Sequence, residues 1–325
     1  MDHVTDTRVS PLAGLAVAVL AVSTSAILVT WSDAPSLVKA FYRVLFTLVL
    51  VAPVAVTRNR GDFARIGGRD LLFAGIAGAA LALHFASWFE SLNWTSVAAS
   101  VTLVQAQPLF VALGAWALLD ERVTGRTVVG IAIALVGMVV MSLGDFLTGA
   151  AVVGDDPLYG NALAVVGAVT AAGYVLAGRS MRQRVALFPY VTVVYAACAA
   201  VLFVLTVSRG LPLFDYPARE WILFAAMALG PGLFGHTVIN WALAHLESSV
   251  VSVSLLGEPV GSTLLALVLL SQVPTPVTLA GGAVVLGGIY VTASGGGNDD
   301  GDAATETTET TEATEETEET AIADS

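Results

Sequence analysis

Cysteine, lysine and charge are all scarce in this 325-residue chain: it has one Cys, one Lys, and only 12% of its residues are Asp, Glu, Lys or Arg. The single Cys198 excludes an intrachain disulfide framework and any site built from several thiolates. It lies within an apolar run and reads as a small buried hydrophobe. With Lys39 the only lysine and no G-x-x-x-x-G-K-[ST] phosphate loop, nucleotide hydrolysis is set aside. No residue pattern calls for a cofactor or a metal. Soluble domains are about 45–50% apolar and about 25% charged. Here the apolar share is 56%, more than a soluble core of this size needs to bury.

The formal net charge of −12 is concentrated at one end. Eleven of the 26 acidic residues fall within 298–325, which has no Lys or Arg, so the body is nearly neutral, with fifteen acidic residues left against 14 basic ones. The stretch 294–325, with its run TETTETTEATEETEET, lacks the apolar side chains that offset chain entropy and reads as a disordered acidic cytoplasmic tail. An acidic tail and a near absence of lysine fit a salt-loving microbe. The arginines cluster between apolar segments, where membrane topology accounts for them, and no nucleic-acid partner is expected.

What the chain has in abundance is long apolar runs. Crossing a bilayer takes about 20 mainly apolar residues in a helix, and ten segments come close: roughly 12–31, 36–57, 71–89, 95–118, 126–144, 159–178, 188–208, 220–242, 249–271 and 275–293. Short connections carry the breakers, among them Pro35, Gly67, Gly125, Pro157 and Pro274. Residues 1–11 are polar, and the first run has no clear cleavage site, so it reads as a retained helix. Basic residues mark the cytoplasmic side. Arg8, Arg58, Arg60, Arg65, Arg69, Arg122, Arg126, Arg179, Arg182 and Arg184 fall on one face of this topology, and Arg209 and Arg219 on the other. The expected arrangement is a multi-pass protein of the cytoplasmic membrane with both termini inside and the bilayer as its first partner.

The chain also resembles itself. At a shift of 151 residues Pro108 matches Pro259, Thr124 matches Thr275, Thr127 matches Thr278, Gly130 matches Gly281 and Gly137 matches Gly288, with no gap. At a shift of 146, Gly14 matches Gly160 and Thr24 matches Thr170. This divides the chain into a first five-helix repeat over 12–144, an extracytoplasmic linker over 145–158 and a second repeat over 159–293. Five is odd, so the second copy enters the membrane from the opposite side. The expected fold class is an all-α membrane protein of ten transmembrane helices as two inverted five-helix repeats. Inverted repeats support alternating access, with the substrate site near the midplane between halves.

Two stretches carry a family resemblance: SLNWTSVAASVTLVQAQPLFVALGAWALLDERVTGRTVVGIAIALVGMVV in the first half and ALAHLESSVVSVSLLGEPVGSTLLALVLLSQVPTPVTLAGGAVVLGGIYV in the second. Each has a small-residue start, a mid-helix proline, an apolar run to a turn, and a glycine-rich helix. In this the chain resembles the EamA-like branch of the drug/metabolite transporter superfamily over residues 12–293. Glu121 matches the family's acidic turn, and Gln272 departs from it. The resemblance implies a multi-pass carrier of small metabolites that is not an enzyme.

Polar groups inside the apolar segments are the candidates for substrate contact. Glu258 sits mid-segment before Pro259, where a carboxylate costs about 2.5–3.5 kcal/mol on insertion scales and marks function by default; it is a candidate proton site. Its repeat counterpart is Gln107 before Pro108, with Gln105 close by. Arg43 lies about 10 Å along the second helix, suited to a substrate carboxylate or phosphate or to pairing with Glu258, whereas Lys39 is expected to snorkel to the interface. His84, Trp88 and Ser91 share one face of the third helix, and His236 and Asn240 share one of the eighth beside Trp241. Pro108, Gly230, Pro231, Gly232 and Pro259 are candidate helix breaks or gates. The glycines of the fifth and tenth helices suit packing or a homodimer surface. His236 and Asn240 also give an H-x-x-x-N spacing that resembles one motif of CAAX-type membrane proteases, an intramembrane-enzyme alternative, but the paired membrane glutamates of that family are missing. The reading is secondary-active transport, in the direction of export, of an amino-acid-like or amphiphilic solute, with proton coupling open.

Overall fold

A computed structural model of the protein describes residues 10–119, 124–148, 153–182, 185–235, 238 and 254–293. There is no strand among them. The helices are α1 (Pro11–Trp31), α2 (Ser36–Arg58), a single turn α3 (Arg60–Phe63), α4 (Gly68–Ser91), α5 (Val97–Val104), α6 (Gln107–Leu119), α7 (Gly125–Thr148), α8 (Pro157–Arg182), α9 (Leu187–Ser208), α10 (Ala218–Met227) running on as a π-helical stretch Ala228–Gly235, α11 (Gly257–Leu269) and α12 (Pro276–Ala293). Seven of the described spans are long and apolar enough to cross a bilayer, with α5 and α6 counted together as one. The α10–π unit, α11 and α12 occupy the three remaining expected segments.

Local chemistry sets where the helices start and where they break. Ser96 caps α5 by accepting from the Ala99 N–H at 3.2 Å, and Asp156 caps α8 through the Tyr159 N–H at 3.1 Å. Thr124 and Thr275, one repeat apart, cap α7 and α12 in the same way, accepting from Thr127 N and Thr278 N at 3.2 and 3.0 Å. A proline has no N–H, and its ring clashes with the carbonyl four residues back. Accordingly α5 stops at Val104, four before Pro108; regular geometry is interrupted at Leu256, just past Leu255, four before Pro259; and α10 gives way to π geometry after Met227, four before Pro231. The fourth segment, expected as one helix, is therefore two. Pro53 lies inside α2 without interrupting it, so proline at these three sites acts with its surroundings and not alone.

The two halves interlock symmetrically. Exchanging them turns the α4–α8 contact into that of α1 with the α10–π unit, and α6–α8 into α1–α11; α2–α9 and α7–α12 map onto themselves. The α7–α12 pair fixes the axis. A Cβ at Gly130 would meet the backbone of Gly288 at 2.8 Å, and one at Gly137 would meet that of Gly281 at 2.9 Å. Gly130 corresponds to Gly281 and Gly137 to Gly288, so the two contacts are images of each other. Early α7 touches late α12, so the helices run antiparallel, and a twofold relating antiparallel spans lies in the membrane plane. The ten segments form two inverted five-helix repeats. The same glycines are used up in this intrachain crossing, so they are not free to build a homodimer surface.

A candidate substrate cavity between the two halves

A cavity of about 350 Å³ lies where the halves meet. From the first half it is lined by Ser25 of α1, Arg43 and Thr47 of α2, His84, Phe85 and Trp88 of α4, Gln105 at the break and Gln107 of α6. The second half contributes Tyr174 of α8, Tyr190 and Tyr195 of α9, Pro231 and Gly232 of the π stretch, and Glu258 of α11. The lining reaches Val51 in α2 and Leu187 and Phe188 at the start of α9, so the cavity extends toward the arginine-rich end of the molecule.

Arg43 is 3% exposed. Its Nη1 donates to Ser25 Oγ at 2.8 Å, and the guanidinium carbon lies 4.6 Å from the Phe85 ring centroid, 5.5 Å from Phe89 and 5.9 Å from Trp88. Aromatic faces compensate a buried cation through their ring quadrupoles. No acid among the described residues forms an ion pair with Arg43; Ser25 and the rings stand where Glu258 was one expected partner. His84 Nδ1 donates to the Gly167 carbonyl at 2.9 Å, and the imidazole stacks on Trp88 at 5.8 Å. Trp88 Nε1 is buried and finds no acceptor among the described residues.

Glu258 instead faces Gln105, whose Nε2 donates to its carboxylate at 2.5 Å. That bond joins the break in the first half to the break in the second. α1 packs on the start of α11: Ser23 Oγ lies 3.4 Å from the Glu258 carbonyl, and Ser262 Oγ donates to the Ser23 carbonyl at 3.0 Å.

Ser91, on the same helix face as His84 and Trp88, is turned away from the cavity and bonds Ser100 at 2.5 Å. Pro108, Pro259 and Gly230 shape the breaks without lining the space. His236, Asn240 and Trp241 lie outside the described residues. Three tyrosines, Tyr174, Tyr190 and Tyr195, were passed over in the sequence; hydroxyl-bearing rings among otherwise aliphatic spans were the available signal.

At the other end the bundle is closed. Tyr42 stacks on Phe224 at 4.9 Å and meets Trp221 edge-on at 4.9 Å, while its hydroxyl donates to the Leu213 carbonyl at 2.5 Å. Beside it, Lys39 does not snorkel: it is 2% exposed and donates to the carbonyls of Val29 and Ser32 at 3.0 and 2.9 Å, the unpaired C-terminal end of α1. Glu220, also 2% exposed, accepts from the Ser32 hydroxyl and from Asp33 N at 3.2 Å. Arg219 bonds Asp33 at 2.9 Å and the Trp31 carbonyl at 2.6 Å. Together these tie the end of α1 to the start of α10.

The model of the EamA-like transporter family matches this chain twice, over residues 10–143 and 158–294. Two proteins of Archaeoglobus fulgidus, each described as an uncharacterized transporter, are similar to it: one is 30% identical over 271 residues, covering 78% of this chain and 92% of the relative, and the other is 24% identical over 264 residues, covering 78% and 86%. A crystal structure 22% identical in sequence superposes with a TM-score of 0.57 over 88% of this chain and 98% of its own, which shows the shared fold. A double match spanning both halves places this chain in the EamA-like transporter family.

Proposed function

We propose that this transporter exports a small amino-acid-like or amphiphilic metabolite across the cytoplasmic membrane by alternating access of its two inverted repeats, with Glu258 binding a coupling proton. Membership of a transporter family makes the protein a multi-pass membrane carrier and not an enzyme, which removes the protease alternative. One observation carries the finer reading: a cavity of about 350 Å³ is bounded by breaks from both halves, and Glu258 is bonded across it by Gln105. A carboxylate there answers directly to relative motion of the repeats, because its partner belongs to the opposite half. The closed aromatic and ionic end, and the lining that runs toward the arginine-rich end, fit one of the two conformations such a carrier needs. With the arginine-rich face cytoplasmic, that conformation receives solute from inside.

The test is transport by purified protein in liposomes across several pH values, with solutes chosen from a metabolite screen by thermal stabilisation; a ligand at 100 times its Kd adds about 2.7 kcal/mol. Glu258→Gln keeps the bond to Gln105 possible and removes the titratable group. Its expected result is transport that no longer responds to a pH gradient. Unchanged rate and unchanged pH response would remove the proton role and leave a facilitated carrier.

A further inference from the structure

We infer that the cavity recognises a monocarboxylate, seated between the Arg43 guanidinium and the Trp88 indole N–H, with its apolar body along the surrounding rings. This rests on the carrier reading above and names the chemistry of the solute. Arginine has five N–H donors in a planar fork. Ser25 accepts from one nitrogen, and the rings of Phe85, Phe89 and Trp88 surround the group at 4.6 to 5.9 Å, contacts that use a guanidinium's charge and leave most of its hydrogen-bonding capacity unspent. Arg43 lines the cavity and makes no ion pair among the described residues. Trp88 stands on the same wall, and its indole N–H is buried without an acceptor among the described residues. A buried donor left unbonded carries a desolvation cost, and the Trp88 ring centroid lies 5.9 Å from the guanidinium carbon.

The charge balance selects the class of anion. Among the described residues Arg43 is the only Lys or Arg lining the space, His84 commits Nδ1 to the Gly167 carbonyl, and Lys39 commits its ammonium to the end of α1. With Glu258 holding its proton, one cation plus one neutral donor matches one negative charge with two oxygens. A phosphate monoester, with about −1.5 to −2 at neutral pH, would exceed that single positive charge. The walls of Phe85, Tyr174, Tyr195 and the Trp88 ring suit an apolar or aromatic body.

Matched acid and amide pairs test this: 3-phenylpropionate with 3-phenylpropionamide, and hexanoate with hexanamide, each titrated into purified protein with thermal stability as the readout. The acids are expected to stabilise and the amides to bind at least tenfold more weakly. Trp88→Phe keeps a ring and removes only the N–H, and is expected to weaken acid binding about tenfold with little change for the amides, the effect of one lost charge-assisted hydrogen bond. Arg43→Lys, which keeps the charge and loses the fork, is expected to lose acid selectivity. Equal binding of acid and amide, no binding of either, or an unaltered acid preference in Trp88→Phe would each overturn the proposal. Binding is measured without transport, so such a failure leaves pH-driven flux through Glu258 standing, whereas selective acid binding with no flux would count against the carrier mechanism instead.

Discussion

Lys39 and Glu220 are two ionisable side chains buried at one end of a membrane protein, each 2% exposed. Such a group is tolerated there when its hydrogen-bonding capacity is met. Lys39 meets two orphan carbonyls of α1, and Glu220 meets the Ser32 hydroxyl and the Asp33 N–H that follow them. Lys39→Met keeps the length and removes both bonds, each a hydrogen bond to a charged group worth about 1.5–3 kcal/mol. The expected cost is about 3 kcal/mol or more, read as a lower thermal midpoint in detergent, while Glu220→Gln, which keeps an acceptor, should cost about 1 kcal/mol. A midpoint for Lys39→Met within error of the parent would show that these bonds carry no net stability. Part of this was legible. Only four residues separate α1 from α2, so a lysine in the first turn of α2 falls beneath the last carbonyls of α1, a capping geometry that outweighs snorkelling. The partners of Glu258 and Arg43 were not legible in the same way. Helical phase tells which face a residue occupies but not which helix stands opposite, and Gln105 lies 153 residues from Glu258.

Glycine in helices is read more sharply when a repeat is present. The tenth segment has two glycine pairs, Gly281–Gly282 and Gly287–Gly288, and composition alone does not say which members face a neighbour. The shift of 151 singles out Gly281 and Gly288, and those are the two that cross α7 with its Gly130 and Gly137. A Cβ at Gly288 would fall 2.5 Å from the Ala134 backbone N, whereas one at Gly287 meets nothing within 4 Å. Gly288→Ala should therefore force α7 and α12 apart at a cost of about 1–3 kcal/mol, the usual range for overpacking. Gly287→Ala should be neutral or slightly stabilising, because alanine is the better helix former by about 1 kcal/mol. The two variants differ by one position, and equal thermal midpoints would contradict the crossing. The break at Gln105 and Ala106 was hidden for the opposite reason. Hydropathy through 95–118 is continuous, and Pro108 signals an interruption without saying that the chain turns irregular ahead of it, where Gln105 lines a cavity.

At the scale of the whole molecule the inverted arrangement makes a demand that a parallel duplication does not: the loop after α2 and the end of α8, which are not repeat equivalents, must share one face of the membrane. In a Cys198→Ala background, which removes the buried native thiol, single cysteines at positions 58 and 182 should react with a membrane-impermeant maleimide from the same side. Cysteines at 209 and 215, between α9 and α10, should react only from the other. The cavity adds a second condition. Cysteines at Val51 and Phe188, which line its far reach, should be labelled from the arginine-rich side, while one at Phe224, fully buried against Tyr42 and Trp221, should resist labelling from either. A ligand that drives the carrier to its other conformation must reverse this pattern, protecting 51 and 188 and exposing 224, because the inverted halves share one twofold and cannot open at both ends together. Labelling of 58 and 182 from opposite faces would break the topology on which the cavity and the proposed proton and carboxylate sites all depend. Correct faces with no reversal under any stabilising ligand would keep the fold and remove the alternation.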